Sequence, residues 1–435
     1  MIIDLINVPN PESIDDLLDE PLGLMYIAST LKKEEFDVRI TNLAGKGYNW
    51  KDYISLDSDI YGIQLYTPTS NIGIEIAKYI RENNPTSLLV CGGAHPSTNI
   101  DSARLLQYFD IIVGGEGENE MVKIAKTFKE DNSKVYDQKF RLSTPIEHID
   151  SLPFPDRDLV DIMKFHRKVN GKRSFGIIGS RGCPYHCSFC DRSVFGNKVR
   201  FRSVRSIFLE ILNVLWLYNV DRFEFFDDLF TVSKNRLIDF RDRVKDLNIQ
   251  YRCQGRTDIL DPEIYKLLKE SGCYSIGFGI ESGNQKILDL MNKNNTVENN
   301  YKAIKIAQDF GIIVIGYFII GFPGETVESI NDTLEFIEKS NIDQAQAYQF
   351  TPFPGTEVYR NPDKFGVKIL NNDWSEYWAV RGENGRGGKT IETKYLSADE
   401  LENQMSNVRK FLKEYGSRGE VADYYKENLK YKERE

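Results

Sequence analysis

The first 140 residues alternate short apolar runs, which indicate buried strands, with segments whose apolar residues recur at helical spacing. The strand-like runs are residues 1–8, 59–66, 87–93 and 109–120, and the helix-like segments are residues 22–36 and 71–84. Strands that alternate with helices predict a doubly wound parallel sheet. Ligands of such sheets bind beyond the carboxyl ends of the strands. Polar or glycine-rich turns stand at those places, at residues 67–71, 92–97 and 114–118.

A second alternating region follows a proline- and charge-rich connector at residues 141–172. Its six apolar runs lie at residues 174–180, 221–227, 249–255, 274–281, 312–321 and 344–351. Six such units predict a partial (β/α)6 barrel of the TIM type over residues 173–360, with its active site at the C-terminal ends of the strands. Residues 361–435 are rich in Trp, Tyr and charge, and we expect a small α-rich extension that caps the substrate side.

Composition narrows the function classes. A chain of 435 residues suggests two or three domains, and a net charge of −9 offers no basic surface for nucleic acid. The first residues lack the basic segment of a signal peptide, and the apolar run at residues 311–322 is too short to span a bilayer. We therefore expect a cytoplasmic protein without a membrane span. Cys91, Cys253 and Cys273 lie in apolar segments and are interpreted as small buried residues.

The other three cysteines, Cys183, Cys187 and Cys190, lie within eight residues, directly after the first run of the predicted barrel. Three thiolates on one loop can hold an iron–sulfur cluster and leave one iron open. A zinc site that includes His186 and a cluster completed by a distant cysteine are the alternatives. His186 is adjacent to Cys187, which is awkward for one tetrahedral centre, so the residues alone favour a cluster.

The segment CPYHCSFC, with the aromatic Phe189 before its last cysteine, resembles the signature of the radical S-adenosylmethionine (SAM) superfamily. The resemblance implies that the three thiolates hold a [4Fe–4S] cluster whose open iron binds SAM. Reductive cleavage of SAM would then give a 5′-deoxyadenosyl radical, with electrons from a flavodoxin- or ferredoxin-type donor. Further segments resemble motifs that contact SAM, and they imply contacts from Phe189, Asp227, Asp228, Arg256, Glu281, Ser282, Gly321 and Pro323. Asp227 and Asp228 depart from the Gly-Gly-Glu that is common in the family.

Residues 1–140 resemble the Rossmann-like cobalamin-binding domain that precedes the radical barrel in one subfamily, through PLGLMYIASTLKKEEFDVRI, GGAHPS and GGEGE. The resemblance implies cobalamin contacts from Thr67, Thr69, Ser70, Gly92, Gly93, His95, Pro96, Gly115 and Glu116. The chain lacks a DxHxxG sequence, so the lower face of cobalt has no protein histidine unless His95 serves. We interpret His95 as a loop residue that contacts the corrin or closes a turn. Gly92 and Gly93 would let the backbone approach a flat macrocycle.

Two other readings of this domain are disfavoured. GGEGE is not GxGxxG and no acid follows at the ribose distance, which argues against NAD. Methylthiotransferases of a related subfamily carry three further cysteines in their N-terminal domain, where this chain has only Cys91. A domain that keeps the fold without cobalamin is a further alternative.

With both cofactors, the resemblance implies that the radical abstracts a hydrogen atom from a small-molecule or peptide substrate. The substrate then takes a methyl group from methylcobalamin at an unactivated carbon. Cyclisation, ring contraction or oxidation with the same cofactors is the alternative outcome. A non-catalytic cobalamin or iron–sulfur module is disfavoured, because an electron carrier needs a fully ligated cluster. Tyr348, Cys253 and Trp374 are candidates for a hydrogen donor or base.

Overall fold

The computed structural model describes residues 1–13, 15–378 and 389–416. Its N-terminal sheet has six parallel strands in the order β2-β1-β3-β4-β5-β6. The strands are β1 (Ile2–Asn7), β2 (Asp37–Asn42), β3 (Ile60–Gln64), β4 (Leu88–Gly92), β5 (Ile111–Gly114) and β6 (Phe140–Leu142). The helices are α1 (Leu22–Lys33), α2 (Ser70–Asn83), α3 (Ala94–Ser97), α4 (Ser102–Leu105) and α5 (Glu118–Glu130). The predicted Rossmann-like sheet is confirmed, and its carboxyl ends carry the three predicted turns.

The sequence pattern missed the two edge strands of this sheet. Strand β2 carries polar residues at alternate positions, and β6 has only three residues, none of them buried. Edge strands have one neighbour and a partly solvated face, so their apolar pattern is weak. Residues 141–172 then form three short 3-10 turns, at Ile149–Ser151, Arg157–Leu159 and Ile162–Lys164. The first strand of a small hairpin, β7 (Lys168–Val169) and β8 (Lys172–Arg173), also falls in this segment.

The second sheet is parallel throughout and its strands follow chain order. They are β9 (Phe175–Ile177), β12 (Arg222–Phe225), β13 (Gln250–Gly255), β14 (Cys273–Glu281), β15 (Ile313–Ile320) and β16 (Gln344–Gln349), with the ribbon β10 (Ser180–Arg181) and β11 (Arg200–Phe201) inserted after β9. The helices are α6 (Val204–Tyr218), α7 (Lys234–Val244), α8 (Pro262–Glu270), α9 (Gln285–Leu290), α10 (Val297–Asp309) and α11 (Val327–Ser340). Six strands joined by helical crossovers in sequential order confirm the predicted partial barrel.

The C-terminal extension is α-rich in its described part, as predicted, and it also contains one short pair of strands. Helix α12 (Glu357–Arg360) ends the barrel segment, and the extension contains α13 (Pro362–Phe365), β17 (Val367–Ile369), β18 (Ile391–Thr393) and α14 (Ala398–Tyr415). Strands β17 and β18 pair antiparallel, and Leu401 and Val408 of α14 pack in one apolar cluster with Ile320 of β15. Residues 379–388 and 417–435 of the predicted extension, which include its charged tail, lie outside the described residues. Among the described helices, none has the length and apolar character needed to cross a membrane.

Candidate active site

Both domains line one cavity of about 1670 Å³. On the N-terminal side, its wall is formed by the turns after β3, β4 and β5. On the barrel side, its wall is formed by the loop after β9 and by residues of β12 to β16. The carboxyl ends of two parallel sheets therefore face the same space, where ligands of both fold classes bind.

The loop with the three cysteines is anchored at both ends by the antiparallel ribbon β10–β11. Gly182 has φ +90°, and a Cβ there would lie 2.4 Å from the carbonyl oxygen of Lys198, so only glycine fits this turn. Inside the loop, the Cys190 N–H donates to the Cys187 carbonyl over 3.2 Å. Cys183, Cys187 and Cys190 all line the cavity and none forms a disulfide.

The three thiols do not form a closed site for a single metal ion. In the described part of the chain, no three Cys, His, Asp or Glu side chains converge as ligands of a metal ion would. Nδ1 of His186, the candidate zinc ligand, lies 3.0 Å from Arg192 Nη1. Surrounding protein, followed by Cys187 and Asp228, raises the pKa of the Cys190 thiol to about 12. An unliganded Cys190 is therefore protonated, and a bound cationic group would draw out its thiolate.

Three predicted SAM contacts lie at the barrel mouth beside these cysteines: Asp228, Arg256 and Glu281 all line the cavity. The Asp228 carboxylate is exposed there, and no described side chain pairs with it. Partial desolvation by the surrounding cavity wall, followed by the neighbouring Asp227, raises the pKa of Asp228. A carboxylate in this position suits an ammonium group of a ligand. Phe189 also lines the cavity.

Glu281 adopts an unusual backbone conformation at the end of β14. Its φ is +67°, and the pairing of β14 with β15 shifts register between Gly279 and Glu281. Left-handed backbone is uncommon for a residue with a side chain and often marks a functional site. The Glu281 carboxylate accepts a hydrogen bond from Lys293 Nζ over 2.7 Å, and both side chains are buried at the cavity.

Arg256 is held by partners that the sequence did not reveal. Its guanidinium lies 3.6 Å from the ring centroid of Tyr185, within the cysteine loop. It also donates to the Asp258 carboxylate and, over 2.9 Å, to the Lys293 carbonyl. Tyr185 and Lys293 are thus unpredicted members of this site. In the sequence, only the nearby acid Asp258, two residues after Arg256, indicated that Arg256 has a partner.

Four predicted SAM residues have other roles in the structure. Asp227 lines the cavity, but its carboxylate accepts bonds of 2.6 Å from the Gly179 N–H and the Ser180 hydroxyl and fixes the start of the cysteine loop. Ser282, Gly321 and Pro323 do not line the cavity. The Ser282 hydroxyl accepts from the Asn284 N–H over 3.1 Å, so it closes a turn.

The N-terminal wall is made largely of backbone. Of the predicted cobalamin contacts, Thr67, Gly92, Gly93, Gly115 and Glu116 line the cavity. Gly93 has φ +107°, and a Cβ there would lie 2.8 Å from the Leu65 carbonyl oxygen. The wall can therefore carry no side chain at Gly93, which leaves its backbone open to close approach by a ligand such as a macrocycle. Unpredicted residues of this wall include Gly23, Gln64, Tyr66 and Met121.

Four predicted cobalamin contacts are not placed at the cavity. Thr69, Ser70 and Pro96 lie behind the turns, where the Ser70 hydroxyl donates to the Thr67 carbonyl over 3.0 Å. His95 is fully buried, with Nδ1 3.2 Å from the Thr67 hydroxyl and Nε2 3.1 Å from an Asp101 oxygen. Both imidazole nitrogens have protein partners, so the structure supports the turn-closing role of His95 and not cobalt ligation.

A buried ionic network joins the two walls. The Glu116 carboxylate accepts bonds of 2.5 Å from Arg181 and from Arg200, and one of 2.8 Å from the Ile146 N–H. Glu118 accepts from Arg181 over 2.7 Å. The two arginines belong to β10 and β11, which bracket the cysteine loop. Glu116, predicted as a cobalamin contact, thus ties the GGEGE turn to the base of the cysteine loop.

The C-terminal extension closes the cavity from a third side. Tyr377 and Trp378 line the cavity, and the Asp373 carboxylate accepts from Asn71 of α2 over 2.8 Å. Trp374 does not line it, because its ring packs edge-on against His95 at 5.2 Å between centroids. Among the candidate hydrogen donors, Tyr348 lines the cavity, whereas Cys253 is buried with its sulfur 3.9 Å from that of Cys273.

Comparisons with known proteins assign both parts of the chain. Residues 177–337 match the Radical SAM superfamily, and residues 19–125 match the B12 binding domain. An uncharacterized methyltransferase of Pyrococcus horikoshii is 32% identical over 381 residues, which cover 83% of this chain and 82% of the relative. The anaerobic magnesium-protoporphyrin IX monomethyl ester cyclase of Rubrivivax gelatinosus is 27% identical, over 82% of this chain and 68% of the cyclase.

A solved structure shares the fold. It is the radical SAM methyltransferase TsrM from Kitasatospora setae with cobalamin and a [4Fe–4S] cluster bound, with a TM-score of 0.68 and 18% identity over 93% of this chain and 81% of TsrM. The order of domains agrees with that of this chain. The protein therefore belongs to the cobalamin-dependent radical SAM enzymes, a family whose cofactors are a [4Fe–4S] cluster, S-adenosylmethionine and cobalamin.

Proposed function

We propose that this enzyme transfers a methyl group to an unactivated carbon of its substrate. One observation carries the proposal: the cysteine loop and the glycine-rich N-terminal wall face each other across a single cavity. A group bound at one wall can therefore reach a substrate that is activated at the other. When bound, the cofactors supply a 5′-deoxyadenosyl radical from the barrel side and a methyl group from the N-terminal side.

Different residues of the barrel would bind the cluster and orient SAM. Cys183, Cys187 and Cys190 would hold the cluster, and the exposed Asp228 carboxylate would accept hydrogen bonds from the ammonium group of SAM. The Glu281–Lys293 pair and Arg256 would complete the polar rim and keep SAM oriented. Protein partners already hold Glu281 and Arg256, so little reorganisation of these two side chains accompanies binding.

On the N-terminal wall, the backbone at Gly92, Gly93 and Gly115 would lie against the corrin. Glu116 would not contact the corrin directly, because both of its carboxylate oxygens already accept hydrogen bonds. It would support this wall through its ion pairs with Arg181 and Arg200. Tyr377 and Trp378 of the extension would exclude water from the cavity, as a radical reaction requires.

Rearrangement without methyl transfer is the second candidate. The similarity to a cyclase of 27% identity favours it, whereas the relative of 32% identity is named a methyltransferase. Both candidates share the cofactors and the same cavity. They differ in whether the substrate gains a carbon atom.

The test uses anaerobically reconstituted enzyme with dithionite, hydroxocobalamin and SAM labelled with deuterium in its methyl group. We expect 5′-deoxyadenosine, and a labelled methyl group in the product once a cell extract supplies the substrate. The variant Cys187→Ala should form no 5′-deoxyadenosine, whereas Cys273→Ala, which removes a thiol outside the cavity, should retain it. A product that carries no label would exclude methyl transfer, and a fully active Cys187→Ala would exclude radical SAM chemistry at this loop.

A further inference from the structure

Below the mouth, the interior of the barrel is polar. Along β13 the burial alternates, so that Tyr251 and Cys253 pack outward while Arg252 and Gln254 face the cavity. The other strands that line this channel contribute the polar side chains of Glu224, Tyr317, Gln344, Gln346 and Tyr348, beside the apolar Phe225, Ile313 and Ile315. Barrels of this type are usually filled by branched apolar residues. A channel lined by amides and phenols is therefore built to bind a ligand rather than to pack.

The amides in this channel have unused hydrogen-bonding capacity. The Gln254 side chain makes no hydrogen bond to any described residue. Gln344 is buried, and its Oε1 has no partner in the described chain. Gln346 accepts a bond of 2.6 Å from the Tyr348 hydroxyl, which leaves its amide nitrogen to donate. Gln254 and Gln346 are half-buried at the cavity, whereas an unsatisfied buried group such as the Gln344 oxygen costs about 1–3 kcal/mol. Together the three amides indicate a ligand that both donates and accepts.

Charge in the same channel is balanced. Arg252 Nε lies 3.5 Å from a Glu224 oxygen, and the Arg252 guanidinium also donates to the Tyr317 hydroxyl. At the N-terminal end of the barrel, Arg167 donates two hydrogen bonds to Asp19. Both arginines are thus neutralised by acids of the protein. A phosphate ester or a polycarboxylate would compete with these pairs rather than find an open cation.

Two tyrosine rings form part of the channel wall beside the amides. The rings of Tyr317 and Tyr348 stack at 6.2 Å between centroids and 29° between planes. They offer a flat face beside the amides of Gln344 and Gln346. A face of this kind suits the C–H groups of a hydroxylated ligand while the amides bind its polar groups.

We propose that the channel binds a compact substrate without net charge that carries several hydroxyl or amide groups, recognised by Gln254, Gln344 and Gln346. The inference rests on the proposed function, because it takes the reacting molecule to lie between the cysteine loop and the floor of the barrel. It holds for methyl transfer and for rearrangement alike. A flat apolar macrocycle would leave the three amides unpaired, and a site built to hydrogen-bond its substrate rejects ligands that cannot do so.

The experiment measures which molecules the cofactor-loaded enzyme retains. Wild type, the double variant Gln254→Leu/Gln346→Leu and a control, Gln107→Leu, are incubated with an extract of the source cells and separated by rapid gel filtration. Gln107 is an exposed glutamine of the N-terminal domain. Retained molecules are released, sorted on anion and cation exchangers and identified by mass spectrometry. We expect a polar, uncharged molecule on wild type and on the control, and on the order of tenfold less on the double variant.

Every other outcome overturns the inference. Retention of an anionic or an apolar molecule would do so, as would equal retention by wild type and the double variant, whether large or nil. Formation of 5′-deoxyadenosine is measured in each preparation as a separate readout. If wild type forms none, the proposed function fails by itself. If wild type forms it but retains a different class of molecule, only the substrate inference fails.

Discussion

The two walls of the cavity are built on different principles. The barrel wall presents thiols and charged side chains, and partners hold most of the charged groups in place, as Lys293 holds Glu281. The N-terminal wall presents backbone, and at Gly93 it has no room for a side chain. The barrel wall can therefore be disabled by removing atoms, whereas the N-terminal wall is disabled by adding them.

The largest effect is expected where the barrel wall loses a single side chain. We expect Cys190→Ala to abolish formation of 5′-deoxyadenosine, because two thiolates cannot hold a cluster that needs three protein ligands. Iron content and product are measured after anaerobic reconstitution. The matched change on the opposite wall is Cys91→Ala, since Cys91 also lines the cavity. That variant should keep its iron. Equal iron loss in both variants would remove the distinction between the walls.

The second prediction concerns the network that joins the walls. Glu116→Gln leaves the buried Arg181 and Arg200 without their shared carboxylate, and breaking a buried ion pair costs about 3–5 kcal/mol. We expect a loss of that size in the free energy of unfolding, measured by urea denaturation. The control Glu147→Gln removes an exposed partner of Lys198 and should cause no measurable change. Similar losses in both variants would contradict a structural role for the network.

The fold was predictable because its strands are apolar and its turns glycine-rich. The cysteine loop was predictable because three thiols at fixed spacing are rarely accidental. The predicted contacts that lie away from the cavity and the partners that were not predicted share one cause. Sequence motifs do not show which way a side chain points. Asp227 and Asp228 are adjacent and both line the cavity, yet Asp227 is buried and only Asp228 is solvent-exposed. The two arginine partners of Glu116 come from more than sixty positions away, and no local pattern signals them.

The third prediction tests the N-terminal wall by adding one methyl group. Gly93→Ala places an alanine in left-handed backbone, 2.8 Å from the Leu65 carbonyl, which costs about 1–3 kcal/mol. At Gly92 the added Cβ would lie 3.5 Å from its nearest neighbour, an ordinary contact. We expect only Gly93→Ala to lower the melting temperature, and we expect it also to weaken binding of hydroxocobalamin, followed by the visible spectrum of the cofactor. If Gly92→Ala destabilises the protein as much, the wall does not depend on backbone conformation.

The smallest effect concerns two buried acids, Glu116 in the N-terminal domain and Glu325 in the barrel, which have different partners. Glu116 meets two arginines, whereas Glu325 in the barrel is buried and accepts hydrogen bonds only from backbone, at the N–H groups of Gly321 and Phe322. Burial raises the pKa of Glu325 from its ordinary 4.5 to about 8. Between pH 6 and 7 the folded protein therefore keeps a proton that the unfolded chain releases, and stability falls as pH rises.

The slope from this one proton is about 1.4 kcal/mol for each pH unit. Glu325→Gln keeps an oxygen that accepts from Gly321 and Phe322 but cannot ionise, so we expect the free energy of unfolding to lose that slope between pH 6 and 7. Urea denaturation at the two pH values measures it. The control is Glu328→Gln, because the pKa of this exposed acid is lowered and the group is ionised throughout the window. An unchanged slope in Glu325→Gln would mean that Glu325 is already ionised in the folded protein. The barrel would then tolerate a buried charge without a cation, and the contrast with the paired Glu116 would disappear.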